Sequence, residues 1–431
     1  MANSDSNKNN KKGLSRRSLL VGGAAIGVGA AVGLRPGNEG ATGHDDYFSA
    51  MSDALQTTLT GKPSLVVDKR RMRQNIQTIK SHVKGRFEYR IVAKSLPSLP
   101  MLNWMMQEAQ TNKLMVFHQP FLNGIAQSIP QADVLMGKPM PINAVKTFYS
   151  ELKDTSFDAS KQLQWLVDNP ERLEQYQALA SDKKINMRIN IELDVGLHRG
   201  GVNQDKTLIE MLKIIEGSEQ LSLSGFMGYE AHVGKVPGDA YAQRDDAMAI
   251  YSHFLELSEQ YLQRDLKGLT LNGAGSPTYQ FYNEGQWPVN ELSAGSCIAK
   301  PTDFDIDSLQ DHIPACFIAS PVIKVLSETQ IPGVKGLGKI MAMWDQNLEK
   351  TFFAYGGYWK AKPESPKGLR LNPVYGRSSN QEMYNGSMTI DLKQDDFIFL
   401  RPTQSEAVFL QFGDILVYED GKIVDSWPVL S

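Results

Sequence analysis

From residue 64 onward the apolar positions fall into two alternating rhythms. SLVVDKRRMRQNIQTIKSHV reads as a short buried strand, an aspartate at its end, and a helix with Met72, Ile76 and Ile79 at helical spacing. YRIVAKS (89–95) is the next strand and PMLNWMMQEAQ the next helix. KLMVFH and ADVLMG follow as strands, AVKTFYSELK as a helix, LQWLVDN as a strand, and PERLEQYQALASD as a helix. INMRINIELDVG (strand), KTLIEMLKIIEGS (helix), LSGFMGYEAH (strand), a long helix near 239–263 and GLTLNGAG (strand) complete the series. Strands and helices joined in turn by short loops predict a parallel βα array, and this many repeats predicts a closed (β/α)8 TIM barrel over residues 60 to about 300.

After about residue 315 the rhythm changes. ACFIASPVIKVLSE, GKIMAMWD, FFAYGGYWKA, SMTIDL, DFIFLRP and GDILVYEDGKIVDSW alternate apolar with polar residues between Gly, Pro and Asn turns, which predicts a C-terminal all-β domain. The expected organisation is a leader and linker at 1–45, a barrel domain at 46–310 and a β domain at 311–431. Within the leader, polar and basic MANSDSNKNNKKGL runs into SRRSLLVGGAAIGVGAAVGL, where Arg16 and Arg17 precede a Gly/Ala-rich stretch too weakly apolar and too short for a comfortable membrane span. That order resembles a twin-arginine export signal, so a periplasmic protein is expected, tethered to the membrane if the signal is left uncleaved.

Composition narrows the ligand class. A formal net charge of −3 with dispersed Lys and Arg offers no basic footprint for nucleic acid, so small molecules are the expected partners. Cys297 and Cys316 are too few for a disulfide framework or a multi-cysteine zinc site, although spacing alone leaves one bridge open.

In a (β/α)8 barrel the working residues lie where strands end and βα loops begin. Lys94, His118, Asp194 to Arg199, His232 and the GAGSPT loop stand at such positions. A lysine desolvated in a barrel mouth loses its proton more readily, and a neutral amine condenses with an aldehyde. In NGAGSPT (272–278), Gly273, Ala274 and Gly275 expose backbone N–H groups beside the hydroxyls of Ser276 and Thr278, a composition suited to cradling a phosphate. ELSAGSCI (291–298) adds Gly295 and Ser296 after a late strand. The lysine and these turns would be neighbours across the barrel seam, the pair that pyridoxal 5′-phosphate (PLP) requires.

PSLVVDKRRMRQNI, RIVAKS, INIELDVGLHRGGV, GYEAH, GAGSPTY and ELSAGS, in that order, resemble the fold-type III PLP enzymes, in particular the D-threonine aldolase and D-serine dehydratase branch beside alanine racemase, over most of residues 60 to 420. The resemblance implies Lys94 as the Schiff-base lysine and His232 packed on the pyridine ring, the two catalytic candidates. It further implies Ser276, Gly275, Gly295 and Ser296 at the phosphate, Arg199 near the cofactor, Tyr229 as a partner of the pyridine nitrogen, and a homodimer. YGRSSNQEMYNGSMTIDL (375–392) resembles the β-domain segment from which the racemases supply a second base, a tyrosine, to the partner subunit's site; Tyr375 and Tyr384 lie in or beside it and neither is assigned that role. The aldolase and dehydratase branch adds a divalent metal held in the β domain, but the corresponding stretch, RPTQSEAVFLQFGD, has Ala407 and Phe409 where ligands would stand, so no metal ligand is assigned. Glu406 and Asp414 remain there as isolated carboxylates. The expected activity is a PLP-dependent lyase acting on D-β-hydroxy amino acids; an amino-acid racemase or epimerase and a non-catalytic PLP-binding protein are the alternatives.

Overall fold

The computed structural model describes residues 35–58, 61–153, 155–283 and 285–430. The paired arginines Arg16 and Arg17 lie outside the described residues. Eight parallel strands close a barrel: β2 (Glu88–Val92), β3 (Lys113–Val116), β4 (Asp133–Met136), β5 (Leu163–Val167), β6 (Met187–Leu193), β7 (Leu221–Gly228), β8 (Thr270–Gly273) and β9 (Glu291–Ala294). Capping residues start the helices between them: the Asn169 side chain accepts from Arg172 N ahead of Pro170, and the Asp239 side chain accepts from Tyr241 N ahead of the helix Ala240–Leu262.

The barrel closes where β9 meets β2, with Glu88 opposite Glu291 and Ile91 opposite Ala294. Inside that seam the fully buried Arg90 guanidinium donates to Glu291 at 2.5 and 3.0 Å and to Asp133 Oδ1 at 2.7 Å. A buried charge cluster of this kind holds only because each donor has an acceptor, and it ties β9, β2 and β4 together at the end where these strands begin.

The remaining strands form one nine-stranded sheet with β1 (Ser64–Asp68) at its centre. β1 pairs antiparallel with β10 (Cys316–Leu326) and parallel with β16 (Ile415–Glu419), which pairs with β17 (Lys422–Trp427). Beyond β10 lie β11 (Lys350–Tyr355), β14 (Gln381–Gly386) and β13 (Arg370–Leu371), while β15 (Phe397–Pro402) pairs with β10 and β12 (Ala361–Ser365). SLVVD, expected to open the barrel, is therefore a sheet strand, and ELSA supplies the eighth barrel strand instead.

The helix Asp46–Thr57 also joins the sheet: Phe48, Met51 and Leu55 bury against Val66, Phe317, Phe399 and Tyr418. The segment before it is docked rather than a free linker, since Ala41 N donates to Lys367 O and His44 bonds Ser365 Oγ and Phe397 O. Three further local expectations change. SMTIDL (387–392), expected as a strand, is a turn and irregular backbone just after the strand Gln381–Gly386. GKIMAMWD lies in a helix, Leu337–Trp344, because its Leu, Met, Ala and Lys residues favour that state over a strand. QPFLNGIAQS, which carries a proline and an internal glycine, forms the helix Gln119–Ser128 between β3 and β4. Cys297 and Cys316 are both free and buried. Among the described residues no helix is long and apolar enough to cross a membrane.

Candidate active site

β2 stops at Val92 and the chain turns through one 3-10 turn, Ala93–Ser95, which carries the Lys94 side chain to the barrel mouth. There Lys94 Nζ lies 4.7 Å from the centre of the Phe117 ring and 3.5 Å from Glu406 Oε1. The desolvated setting expected for this amine is not what surrounds it: the side chain is 45% exposed and shares the mouth with a carboxylate. That carboxylate comes from the loop after β15, in the C-terminal sheet. Ser95 Oγ donates to Glu406 Oε1 at 3.1 Å and accepts from Ser296 Oγ at 2.8 Å, so an unbroken hydrogen-bonded chain runs from the lysine's partner to the turn after β9.

Opposite the lysine, the two small-residue turns are locked to each other. Ser276 Oγ accepts from Gly295 N at 3.0 Å and from Cys297 N at 3.2 Å, which joins the turn after β8 to the turn after β9. A second lock holds the first turn to β7. The buried Glu230 carboxylate accepts from Thr278 Oγ1 at 2.6 Å and from Ala274 N at 3.2 Å, while Thr278 Oγ1 accepts from Gly275 N. Burial raises the Glu230 pKa, opposed by these hydrogen bonds.

Both glycines are required by space. A Cβ on Gly275 would stand 2.5 Å from the Tyr229 ring, and one on Gly295 would stand 2.6 Å from Val92 O. Only a hydrogen at these positions lets the turns approach the tyrosine face and the end of β2.

These elements enclose a cavity with about 620 Å³ of free space counted out through its open mouth. Its walls include Lys94, Arg199, Tyr229, Ser276, Ser296 and Glu406, and also Gly275 and Gly295, with Val92, Met115 and Met227 as apolar surface. The Arg199 guanidinium lies 5.1 Å from the centre of the Tyr229 ring. Burial, with Glu230 next to it, pushes the Tyr229 phenol up to about 12, so it is neutral and can donate a hydrogen bond.

Of the residues that the resemblance implies at the site, all except His232 line this cavity, whereas His118, Asp194, His198, Gly273 and Thr278, also expected at strand ends, do not. His232 falls in the turn after β7, with its ring 3.3 Å from where a Cβ on Gly196 would be. Its Nδ1 is buried with no hydrogen-bond partner among the described residues, and burial lowers its pKa, with His198 adding to the effect. His198 is 80% exposed and pairs with Asp194 at 2.9 Å.

The tyrosines of the segment 375–392 lie elsewhere in this chain. Tyr384 is buried and donates to Glu382, and Tyr375 donates to Gln330 O. Among the described residues no group of three or more His, Cys, Asp or Glu is placed to hold a metal ion, and of the stretch 401–414 only Glu406 reaches the cavity.

Two groups escaped the sequence reading. Glu230 follows Tyr229 at the end of β7, and its strand-end position was the signal available for it. Glu192, at the end of β6, carries a pKa raised to about 7 by burial, with Asp168 and Asp194 pushing the same way and Arg199 opposing. The meeting of Glu406 with Lys94 had no sequence signal, because 312 positions separate them.

Solved structures share this architecture. D-threonine aldolase from Filomicrobium marinum superposes with a TM-score of 0.68 at 14% identity, over 86% of this chain and 97% of that one. D-threo-3-hydroxyaspartate dehydratase from Delftia sp. HT23 gives 0.64 at 14% identity, over 85% and 97%. Alanine racemase from Bacillus anthracis gives 0.66 at 14% identity, over 85% and 97%. At such identity these similarities establish the fold. No curated protein matches by sequence. Residues 67–301, more than half of the chain and the whole of the barrel, match the alanine racemase N-terminal domain, and the chain belongs to that family.

Proposed function

We propose that this protein is a fold-type III PLP-dependent amino-acid enzyme, and that its reaction is lyase cleavage of D-β-hydroxy amino acids. The observation that carries the cofactor reading is the convergence on one cavity of the Lys94 amine and of two turns at whose Gly275 and Gly295 there is no room for a Cβ. Family membership supports it, since relatives of this family typically bind PLP. The residues present fit the cofactor. The hydroxyls of Ser276 and Ser296, in turns that Gly275 and Gly295 keep open, would hold its phosphate, Lys94 would hold its aldehyde carbon, and Tyr229 and Arg199 would flank its ring.

When bound, the cofactor supplies an aldehyde for an amine to condense with and a conjugated ring that disperses negative charge developing at a substrate Cα. This chain's residues do the rest. Lys94 Nζ is the atom that can hold and return a proton at the cavity floor, and Arg199 offers a fixed positive charge to a substrate carboxylate. The apolar surface of Val92, Met115 and Met227 limits water on that side.

The lyase reading is supported by similarity to D-threonine aldolase and D-threo-3-hydroxyaspartate dehydratase. The donor set of the stretch 401–414 does not fit a bound metal, and no step is assigned to one. A homodimer and periplasmic delivery through Arg16 and Arg17 belong to the same proposal.

Two measurements test it. The purified protein should show a yellow PLP absorbance and a borohydride-stable label on Lys94, both absent from Lys94→Ala; retention of both in the variant refutes the assignment. A panel of D- and L-amino acids, assayed with EDTA or Mn²⁺, should release an aldehyde, or ammonia and a keto acid, from a D-β-hydroxy substrate. Exchange of the Cα hydrogen with loss of optical rotation and no such product would instead identify a racemase.

A further inference from the structure

The carboxylate at the barrel mouth is delivered by the other domain. Ser405 O accepts from Val408 N and Phe409 N, which curls the loop after β15 and leaves Glu406 facing Lys94. Glu406 is one-third exposed, and the titratable or charged side chains that share the cavity with Lys94 are Glu406, Arg199 and Tyr229. Of these, Glu406 is the one acidic group, and two contacts fix it: the 3.5 Å approach to Lys94 Nζ and the 3.1 Å bond from Ser95 Oγ. Ser95 is itself oriented by the hydroxyl of Ser296, in the turn after β9.

We propose that Glu406 is a positioning residue that acts through Lys94: it fixes the amine at the mouth and governs how readily that amine reacts, and the Ser95–Ser296 hydroxyl pair holds the carboxylate in place. This rests on the reading of Lys94 as the reactive amine. The physical basis is simple. An amine held against a carboxylate at 3.5 Å must give up that contact before its nitrogen can attack a carbonyl carbon. Removing the negative charge while keeping the side-chain shape should make the amine more reactive at neutral pH. Shortening the side chain by one methylene should weaken the effect without abolishing it.

The test uses the full chain stripped of carbonyl ligands with hydroxylamine, pulsed with acetic anhydride between pH 6.5 and 9.5, with Lys94 acetylation read by peptide mass spectrometry against the other lysines. Glu406→Gln should raise Lys94 labelling at pH 7.5 about threefold, the scale of a partly exposed ion pair, and leave the other lysines unchanged. Glu406→Asp should fall between the variant and the parent, and Ser95→Ala should give a smaller rise of the same sign. Unchanged or slower Lys94 labelling in Glu406→Gln overturns the proposal. Should Glu406→Gln fail to fold, seen as a rise at every lysine, Ser95→Ala decides, and no rise there overturns it equally. Because no cofactor is present in the assay, the functional reading fails separately: a Glu406 effect in a protein that never turns yellow with PLP sustains this inference and removes only that reading.

Discussion

Glu192 gives the sharpest quantitative prediction. Its carboxyl stands at the end of β6, where burial, with Asp168 and Asp194 beside it, opposes ionisation by more than Arg199 favours it. In the open chain such a group titrates near 4.5, and in the fold near 7. Each pH unit between the two titration points is worth about 1.4 kcal/mol, so the gap amounts to about 3 kcal/mol once both states are ionised. The sign follows from proton counts. Between pH 4.5 and 7 the native state binds more protons than the unfolded one, so this group's contribution is fully present below pH 4.5 and is lost as pH rises through 7. Glu192→Gln removes the ionisation. Urea unfolding of parent and variant at pH 5, 6, 7 and 8 should show the variant gaining on the parent by about 2–3 kcal/mol between pH 5 and 8, with the difference flattening above pH 7.5. A difference between the two proteins that stays constant over that range refutes the assignment of a buried, charge-opposed carboxyl at this strand end.

Gly295→Ala would place a methyl group 2.6 Å from Val92 O and strain the Ser276 bonds to Gly295 N and Cys297 N, so a stability loss of about 1–3 kcal/mol in urea unfolding and PLP binding at least tenfold weaker by absorbance titration are expected. An unaltered PLP affinity would mean that the turn after β9 is not the phosphate cradle. Replacing both Arg16 and Arg17 with lysine should retain the protein in the cytoplasm, as read by cell fractionation; normal export of that variant counts against the twin-arginine route.

The strand-end rule, applied to the sequence, reached most of the cavity wall. Lys94, Arg199 and the two small-residue turns were legible because each is a local signal: a residue type at the end of an apolar run, or a cluster of Gly and Ser between two elements; Tyr229 came from the family resemblance alone. Glu230 and Glu192 carried the same positional signal and were passed over, since a carboxylate beside a strand end reads as a solvated residue until its burial is known. His232 had the position but falls outside the cavity lining, because the chain enters a tight turn right after Tyr229 and Glu230, and its ring packs on Gly196.

By itself the sequence determined the type of nearly every element and the parallel βα order of the barrel, because apolar periodicity and capping residues act within a few positions of one another. Tertiary structure decided which strands belong together. SLVVD is buried along its whole length, a pattern that serves equally well in a barrel or in the middle of a sheet, and only its pairing with β10 and β16 assigned it to the sheet. ELSA, four residues beside a small-residue turn, closed the barrel in its place. The approach of Glu406 to Lys94 was settled in the same way: joining β1 to the C-terminal sheet anchors that sheet at the barrel's flank, and such contacts between distant segments depend on what the assembled surfaces bury together, which no local window of sequence contains.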